Sequence, residues 1–301
     1  MLYIAAYMSS CLWATGTREE RKWDSMVNKI EDSYPDETCA ADYADSLPKE
    51  VRRLIREEKI TGETSGMCSE YAQANLVVLP KELAFDFLLF ATKNPKACPI
   101  LEVTNAGDRY LSEIADQADI AKDIPQYCIY ENGELTGRYI DVSSFWREDL
   151  VSFLIGCSFS FEGELLKADI PVRQIEEHCN VPMYRTNIAC KSAGVFHGNM
   201  VVSMRPIPYA LVPKAVQVTG SMPKVHGAPV HIGDPKVIGI RDLAKPDFGD
   251  AVTIRDGEVP VFWPCGVTPQ AVVMASKPSF CITHAPGHML VTDVKNINLK
   301  Y

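Results

Sequence analysis

Short apolar runs bounded by turn residues recur along the chain, and such runs are typical of buried strands. The sequence predicts strands at 75–80, 100–103, 200–204, 237–240, 251–254, 259–263, 279–283 and 289–292. Residues around Asn132 and Gly133 alternate between polar and apolar. Because an Asn-Gly pair suits a two-residue turn, this pattern predicts a β-hairpin over residues 127–140.

Helix signals alternate with these strands. The predicted helices begin at Pro48, Pro80, Phe145, Ser160 and Thr268. Prolines suit a first helical turn because the N–H that proline lacks is unpaired there in any case. We expect Ser46 to cap the first helix and Thr268 to cap the last. The helix over 145–155 is predicted to be the longest of the later ones, with Ser143 or Ser144 as its cap and its end at Gly156.

The mixture of strands and amphipathic helices predicts an α/β fold. We expect a main mixed-sheet α/β body with a second, smaller α+β domain. The predicted divisions are a leader at 1–45, a discontinuous main domain at 46–110 and 200–301, and the smaller domain at 111–199. In this organisation the chain leaves the larger body and returns to it.

Composition narrows the class of partner. The chain has 301 residues, 47% of them hydrophobic, which suffices for one large domain or two smaller ones. Its net charge of −9, without a Lys/Arg-rich run, argues against nucleic acid or an anionic membrane as partner. The apolar first 17 residues lack the basic start of a signal peptide and the length of a membrane helix. We therefore expect a small-molecule partner.

The ten cysteines include no Cys-x-x-Cys pair, which favours reduced thiols. This predicts a cytoplasmic protein, with a mitochondrial location as the alternative if the source is eukaryotic. A homo-oligomer is left open. No glycine-rich phosphate loop or dinucleotide fingerprint occurs, so we predict no nucleotide cofactor.

Four of the six histidines lie in the last quarter of the chain, each near a Gly or Pro that forces a turn. Rigidly turned polar segments of this kind are typical of functional sites. These turns prevent presentation from one helix, and no His-Glu-x-x-His motif occurs, so we predict proton transfer rather than a metal site. A loop-borne catalytic metal is the alternative. The predicted catalytic residues are His226, His231, Asp234, Asp250, His284 and His288.

Residues 156–162 place two hydroxyls, a thiol and an acid just before a predicted helix. Helix N-termini bind carboxylates and lower the pKa of nearby thiols. Cys265 likewise precedes a predicted helix, where backbone amides would stabilise an oxyanion. The alternative is that Ser160 is only a cap and Cys157 only a buried apolar side chain.

Two arginines and two amides complete the candidate set. Arg185 and Arg205 lie in or after apolar stretches, so each either anchors a carboxylate or forms an internal salt bridge. Gln73 and Asn75 precede a strand and either lock a turn or bind a ligand. The predicted substrate-binding residues are Cys157, Ser158, Ser160, Arg185, Arg205, Gln73, Asn75, Cys265 and Thr268.

Longer motifs occupy residues 62–66, 71–76, 98–102, 155–162, 181–187, 201–206, 226–231, 259–263, 266–270 and 283–288. In these motifs, over about residues 50–293, the chain resembles the D-glutamate cyclase family, which is grouped with hydro-lyases. The resemblance implies reversible cyclisation of D-glutamate to 5-oxo-D-proline with loss of water.

This reaction requires an unprotonated α-amine, a protonated leaving oxygen and a bound α-carboxylate. We expect Arg185 or Arg205 to anchor carboxylate, the turn at 157–160 to hold the other end, and a histidine to act as acid and base. The alternatives are a hydro-lyase acting on another small hydroxy or amino acid, a non-catalytic carboxylate-binding protein, and a metal-dependent amidohydrolase.

Overall fold

A computed structural model describes residues 40–300, in which two antiparallel sheets pack with six α-helices. The strands are β1 (Tyr71–Pro80), β2 (Ile100–Val103), β3 (Tyr127–Glu131), β4 (Glu134–Tyr139), β5 (Leu150–Gly156), β6 (Met183–Ala189), β7 (Asn199–Pro208), β8 (His231–Ile232), β9 (Glu258–Pro264), β10 (Phe280–His284) and β11 (Leu290–Lys295). The helices are α1 (Pro48–Arg56), α2 (Lys81–Lys93), α3 (Phe159–Lys167), α4 (Arg173–Glu176), α5 (Val212–Gly220) and α6 (Thr268–Ser276). Short 3-10 helices occupy Ala40–Tyr43, Ser143–Phe145, Tyr209–Leu211, Pro223–Val225, Pro235–Ile238 and Asn296–Leu299.

The larger sheet has the strand order β2-β5-β1-β10-β3-β4, and β11 also pairs with β1. Ala74 pairs with Gly156 of β5 on one side and with Leu290 of β11 on the other. Further along β1, Val77 pairs with Thr283 of β10. Strands β10 and β11 therefore share one edge of β1, and the break between them falls beside Asn75 and Leu76.

The smaller sheet has the order β6-β7-β9-β8. Aromatic side chains dominate the packing of the core. Phe87 of α2 meets Phe153 of β5 and Phe196 edge-on, with ring centroids 4.8 and 5.2 Å apart. Phe161 of α3 packs against Trp263 of β9 at 5.6 Å, which joins α3 to the smaller sheet.

The predicted α/β class is confirmed, as are the hairpin at Asn132-Gly133 and the helices that begin near Pro48, Pro80, Ser160 and Thr268. Two caps are shifted: Leu47 and Val267 occupy the N-cap positions, not Ser46 and Thr268.

The helix predicted over 145–155 is wrong, because this stretch forms β5 instead. All seven residues of β5 are buried, so both faces are apolar and the alternation that identifies a strand is absent. The strand predicted at 237–240 is also wrong: Pro235 opens a 3-10 helix there, capped by Asp234. The predicted strand at 251–254 is extended chain outside both sheets.

The sheets divide the chain differently from the predicted domain boundaries, which stay a prediction. Strands β3, β4 and β5, expected in the smaller domain, pair within the larger sheet, and the smaller sheet takes its strands from β6 to β9. All the described residues belong to one compact unit. The predicted leader at 1–45 lies almost wholly outside the described residues. Between residues 40 and 300, no helix combines the length and apolar character needed to cross a bilayer.

Candidate functional site

Two similar strand-to-helix turns lie next to each other. One connects β5 to α3 through Cys157 and Ser158, and the other connects β9 to α6 through Cys265, Gly266 and Val267. Both helices are nine residues long, and neither N-cap side chain bonds to its helix, although the N–H of Phe159 donates to Cys157 Sγ at 3.5 Å. The first N–H groups of such helices, and the partial positive charge there, favour an anion.

Both turns line one small, narrow pocket. The turns contribute Cys157, Ser158, Phe159, Cys265, Gly266 and Val267. The remaining lining residues are Asn75, Asn180, Val181, Met183, His284, Gly287 and Met289. No residue in this lining carries a formal charge at neutral pH when its histidine is neutral. The polar side chains of the lining are two asparagines, one serine, two cysteines and one histidine.

Asn75 ties the two turns together. Its Nδ2 donates to the carbonyl oxygens of Ile155 at 3.2 Å and Gly156 at 3.0 Å. On the other side, a Cβ atom placed on Gly266 would lie only 2.1 Å from this Nδ2. Only glycine therefore lets the second turn approach the Asn75 amide so closely. Of the two alternatives for Asn75, the lock on the turn is evident, and the side chain also lines the pocket.

His284 sits where the edge of β1 changes from β10 to β11. Its Nδ1 lies 3.1 Å from the backbone nitrogen of Leu76, from which it can accept, and 3.3 Å from the Leu76 carbonyl oxygen, to which it can donate. The shorter contact favours the tautomer with the ring proton on Nε2. Burial lowers the pKa of His284 to about 4. Nε2 is buried, has no hydrogen-bond partner among residues 40–300, and belongs to a pocket-lining side chain. At neutral pH this geometry provides a neutral N–H donor to a ligand.

Asn180, which sequence reasoning missed, lines the same pocket. Its backbone N–H donates to Asp250 Oδ2 at 3.0 Å, so the predicted catalytic Asp250 contacts Asn180 but does not itself line the pocket. The side-chain Oδ1 of Asn180 is buried without a partner in the described part of the chain. A lone asparagine before an apolar strand gives no signal in sequence, since its place depends on the packing of residues 179–181 against the Gly249 turn.

The two pocket cysteines are protonated at neutral pH. Burial raises the pKa of Cys265 to about 11 and holds that of Cys157 well above its usual value. The expectation that a helix N-terminus lowers the thiol pKa is wrong here, because loss of solvation outweighs the favourable backbone N–H groups. Both thiols are therefore weak hydrogen-bond donors rather than nucleophiles.

Arg205 is fully buried and forms the internal salt bridge that was the alternative to a substrate anchor. Its guanidinium pairs with Glu162 of α3 through Nε, at 3.1 Å, and Nη2. Burial raises the pKa of Glu162, and the nearby guanidinium opposes this effect. Arg185, in contrast, is half-buried, and its guanidinium lies 5.8 Å from the ring centroid of Phe248. Neither arginine lines the pocket, and their role as anchors stays a prediction.

Three other predicted binding residues lie outside the pocket lining and form hydrogen bonds with neighbouring segments. Ser160 Oγ accepts from the N–H of Gln73 at 3.0 Å, and Gln73 Nε2 donates to the Thr64 carbonyl at 2.7 Å. Thr268 Oγ1 accepts from the Val201 N–H at 3.1 Å, which ties α6 to β7. These contacts favour the turn-locking interpretation for Gln73, Ser160 and Thr268.

The remaining histidines lie outside the pocket lining. His231 of β8 contacts the backbone oxygen of Asp234 through Nε2 at 2.7 Å, and Asp234 caps a 3-10 helix. His226 is buried with Nδ1 2.8 Å from the Lys96 carbonyl, and burial lowers its pKa to about 4. His288 is half-buried in the loop after His284, with Nδ1 2.9 Å from the Pro286 carbonyl. Of the predicted catalytic side chains, only that of His284 lines the pocket. Across residues 40–300, no group of three or more His, Cys, Asp or Glu side chains is arranged to hold a metal.

The fold and site together define an α/β protein with a small pocket between two strand-to-helix turns. A family model described as D-glutamate cyclase matches residues 151–293, which include both turns and His284. A "Putative hydro-lyase" of Clostridium beijerinckii is 69% identical over 260 residues, covering 86% of this chain and 99% of that protein. Proteins of the same description from Psychrobacter arcticus and Bacillus subtilis are 59% and 62% identical, and 98% of each is covered, against 86% and 84% of this chain. The chain belongs to the D-glutamate cyclase family, and these three relatives are described as hydro-lyases.

Proposed function

We propose that this protein is a hydro-lyase that converts D-glutamate to 5-oxo-D-proline and water by intramolecular cyclisation. The observation that supports the proposal most is the position of His284. His284, a buried side chain whose Nε2 has no hydrogen-bond partner in the described residues, lines the pocket between the two turns that precede α3 and α6. Membership in the D-glutamate cyclase family supports this choice of substrate and reaction.

The proposed reaction balances within the substrate. The α-nitrogen attacks the carbon of the γ-carboxyl group, a C–N bond forms, and one C–O bond of that carboxyl group breaks. The ammonium group loses two protons, and one γ-carboxylate oxygen takes both and leaves as water. No net proton enters or leaves the protein, so a pocket without a charged acid or base is compatible with this chemistry. The proton transfers require only that nitrogen and oxygen be close and shielded from bulk water.

The tetrahedral intermediate bears negative charge on an oxygen of the former γ-carboxylate. A neutral imidazole N–H is suited to stabilise such an oxyanion because it need not be reoriented during the reaction. We assign this role to His284 Nε2. The helix ends of α3 and α6 are suited to the substrate carboxylates. Asn180 is the further polar side chain available to orient the substrate.

Proton NMR of D-glutamate incubated with purified, chelator-treated protein tests the proposal. We expect the signals of 5-oxo-D-proline to grow in proportion to protein concentration, above the rate without protein. L-glutamate and small 2-hydroxy acids serve as parallel substrates. Water loss from one of these and not from D-glutamate would favour the alternative hydro-lyase. Calorimetric binding of D-glutamate without product over hours would favour a non-catalytic carboxylate-binding protein.

A further inference from the structure

Ser158 contacts Arg205 of the buried Arg205–Glu162 ion pair and also lines the pocket. It is 2% exposed, lines the pocket, and its Oγ accepts a hydrogen bond of 3.2 Å from Arg205 Nη2. A serine hydroxyl has one proton to donate as well as lone pairs that accept. Within residues 40–300 no protein group accepts the Ser158 hydroxyl proton. Arg205 donates to a lone pair of the oxygen, so the O–H remains available to donate to a ligand.

Arg205 cannot itself turn toward a ligand without leaving its partners. Nη1 donates to Ser203 Oγ at 3.0 Å, and Nε and Nη2 contact Glu162. Glu162 is fixed in turn by Gln174 Nε2, which donates to Oε1 at 2.7 Å. The guanidinium also lies 5.0 Å from the ring centroid of Phe161. Removing a charge from such a network would leave its partner buried and unpaired, which is costly.

We propose that the Ser158 hydroxyl donates a hydrogen bond to the α-carboxylate of the substrate, and that Arg205, fixed by Glu162, is the positioning residue that directs this hydroxyl into the pocket. This inference rests on the proposed function for the identity of the substrate. The donor from Arg205 polarises the hydroxyl, and hydrogen bonds that involve charged groups are stronger than neutral ones. The α-carboxylate is assigned here because His284 takes the reacting γ end.

The α-carboxylate is unchanged in the reaction. A contact to it stabilises the ground state and the transition state alike, so its loss raises KM and leaves kcat unchanged. This behaviour separates Ser158 from His284, whose contact strengthens as the oxyanion forms. It also separates a binding role from general loss of structure, which lowers the amount of active protein.

Two serines that accept from the same guanidinium provide a matched pair. Ser158→Ala and Ser203→Ala each remove one partner of Arg205, but only Ser158 lines the pocket. We expect Ser158→Ala to raise KM for D-glutamate by roughly 10- to 100-fold, with kcat within about threefold of wild type. Ser203→Ala is expected to leave KM within about threefold. Thermal unfolding of both variants checks that each is folded.

A substitution of Arg205 tests its proposed positioning role. Lysine lacks the fork that reaches Ser158 and Glu162 together, so Arg205→Lys should also raise KM. The double variant Ser158→Ala/Arg205→Lys should have the same KM as whichever single variant has the higher KM, because both changes remove the same contact. An additive loss would overturn the positioning role.

Calorimetry with 5-oxo-D-proline gives a readout that is independent of turnover. The product retains the α-carboxylate, so Ser158→Ala should weaken its binding by the same factor as it raises KM. Unchanged binding to Ser158→Ala, an equal loss in Ser203→Ala, or a loss in kcat alone would overturn the inference. Failure of the wild-type protein to cyclise D-glutamate would instead overturn the proposed function, and the calorimetric comparison would still decide the role of Ser158.

Discussion

His284 and His226 are chemically alike in this fold but differ in what surrounds them. Each ring is buried, each Nδ1 contacts the backbone of another segment, and burial lowers the pKa of both to about 4. His284 lies at the break between β10 and β11 and lines the pocket, whereas His226 follows a 3-10 helix outside that lining. A low histidine pKa therefore does not identify a site by itself. The Nε2 atoms of both rings are buried without a hydrogen-bond partner in the described residues, so the difference is that only His284 lines the pocket.

The largest difference between His284 and His226 is expected in kcat/KM. His284→Gln removes the proposed oxyanion donor and should lower kcat/KM for D-glutamate by roughly 100- to 1,000-fold. His226→Asn should keep kcat/KM within about threefold. Asparagine is a suitable replacement at residue 226 because it tolerates the left-handed backbone there, where φ is +81°. Steady-state rates of 5-oxo-D-proline formation compare the two, and equal losses would mean that the distinction is wrong.

In stability, by contrast, the two histidines should behave alike. Since their folded-state pKa values of about 4 lie below the usual 6.5, the unfolded chain takes up the proton first as pH falls. Stability is thus fully present above about pH 6.5 and is lost toward about pH 4. From about pH 7.5 to about pH 5, each ring should account for about 2 kcal/mol of lost unfolding free energy.

Urea unfolding of wild type and His226→Asn at the two pH values measures this loss. The decrease in unfolding free energy should be smaller in the variant by the contribution of one ring. An identical decrease in both proteins would show that His226 is not held neutral in the folded state.

Gly266→Ala tests the close contact between the turns. The new Cβ would lie 2.1 Å from Asn75 Nδ2, so the amide must move away from the Ile155 and Gly156 carbonyls. We expect a loss of about 1–3 kcal/mol in unfolding free energy. Gly220→Ala is the control, because a Cβ there meets only Ala228 Cβ, at 3.7 Å. That change should be neutral or slightly stabilising at a helix end. Equal stability of the two variants would contradict the packing described for Asn75.

The smallest effect is expected for His231→Ala. Its imidazole contacts the Asp234 backbone and packs 5.7 Å from the Phe262 ring, away from the pocket lining. Cyclisation of D-glutamate should stay within about twofold of the wild-type rate. A loss comparable to that of His284→Gln would restore the sequence-based assignment of His231 as acid or base.

Local structure was predictable where the sequence carries explicit signals. Prolines mark the starts of α1 and α2, and Asn132 and Gly133 both adopt the positive φ angles that their hairpin turn requires. Strand β5 was not predictable in this way, because a strand buried on both faces has the same apolar run as a buried helix.

The sequence predicted which residue types form the site, but not which of the candidate residues lie together in the fold. The sequence singled out His284, Cys157, Ser158, Cys265 and Asn75, all of which line the pocket. The same reasoning also singled out His231 and Asp234, because turn-rich polar segments look alike whether they line a pocket or only close a turn. The thiol pKa values depend on burial, which pairing of distant strands creates and local sequence does not show.

The most direct test of the central claim is NMR of protein labelled with ¹⁵N in its histidine rings, with 5-oxo-D-proline added at neutral pH. His284→Gln and His226→Asn assign the two buried rings. We predict that both rings are neutral before addition, that His284 carries its proton on Nε2, and that only the His284 Nε2 resonance shifts on ligand binding. A His284 resonance that stays unchanged while ligand binds, or one that titrates near pH 6.5, would contradict the account.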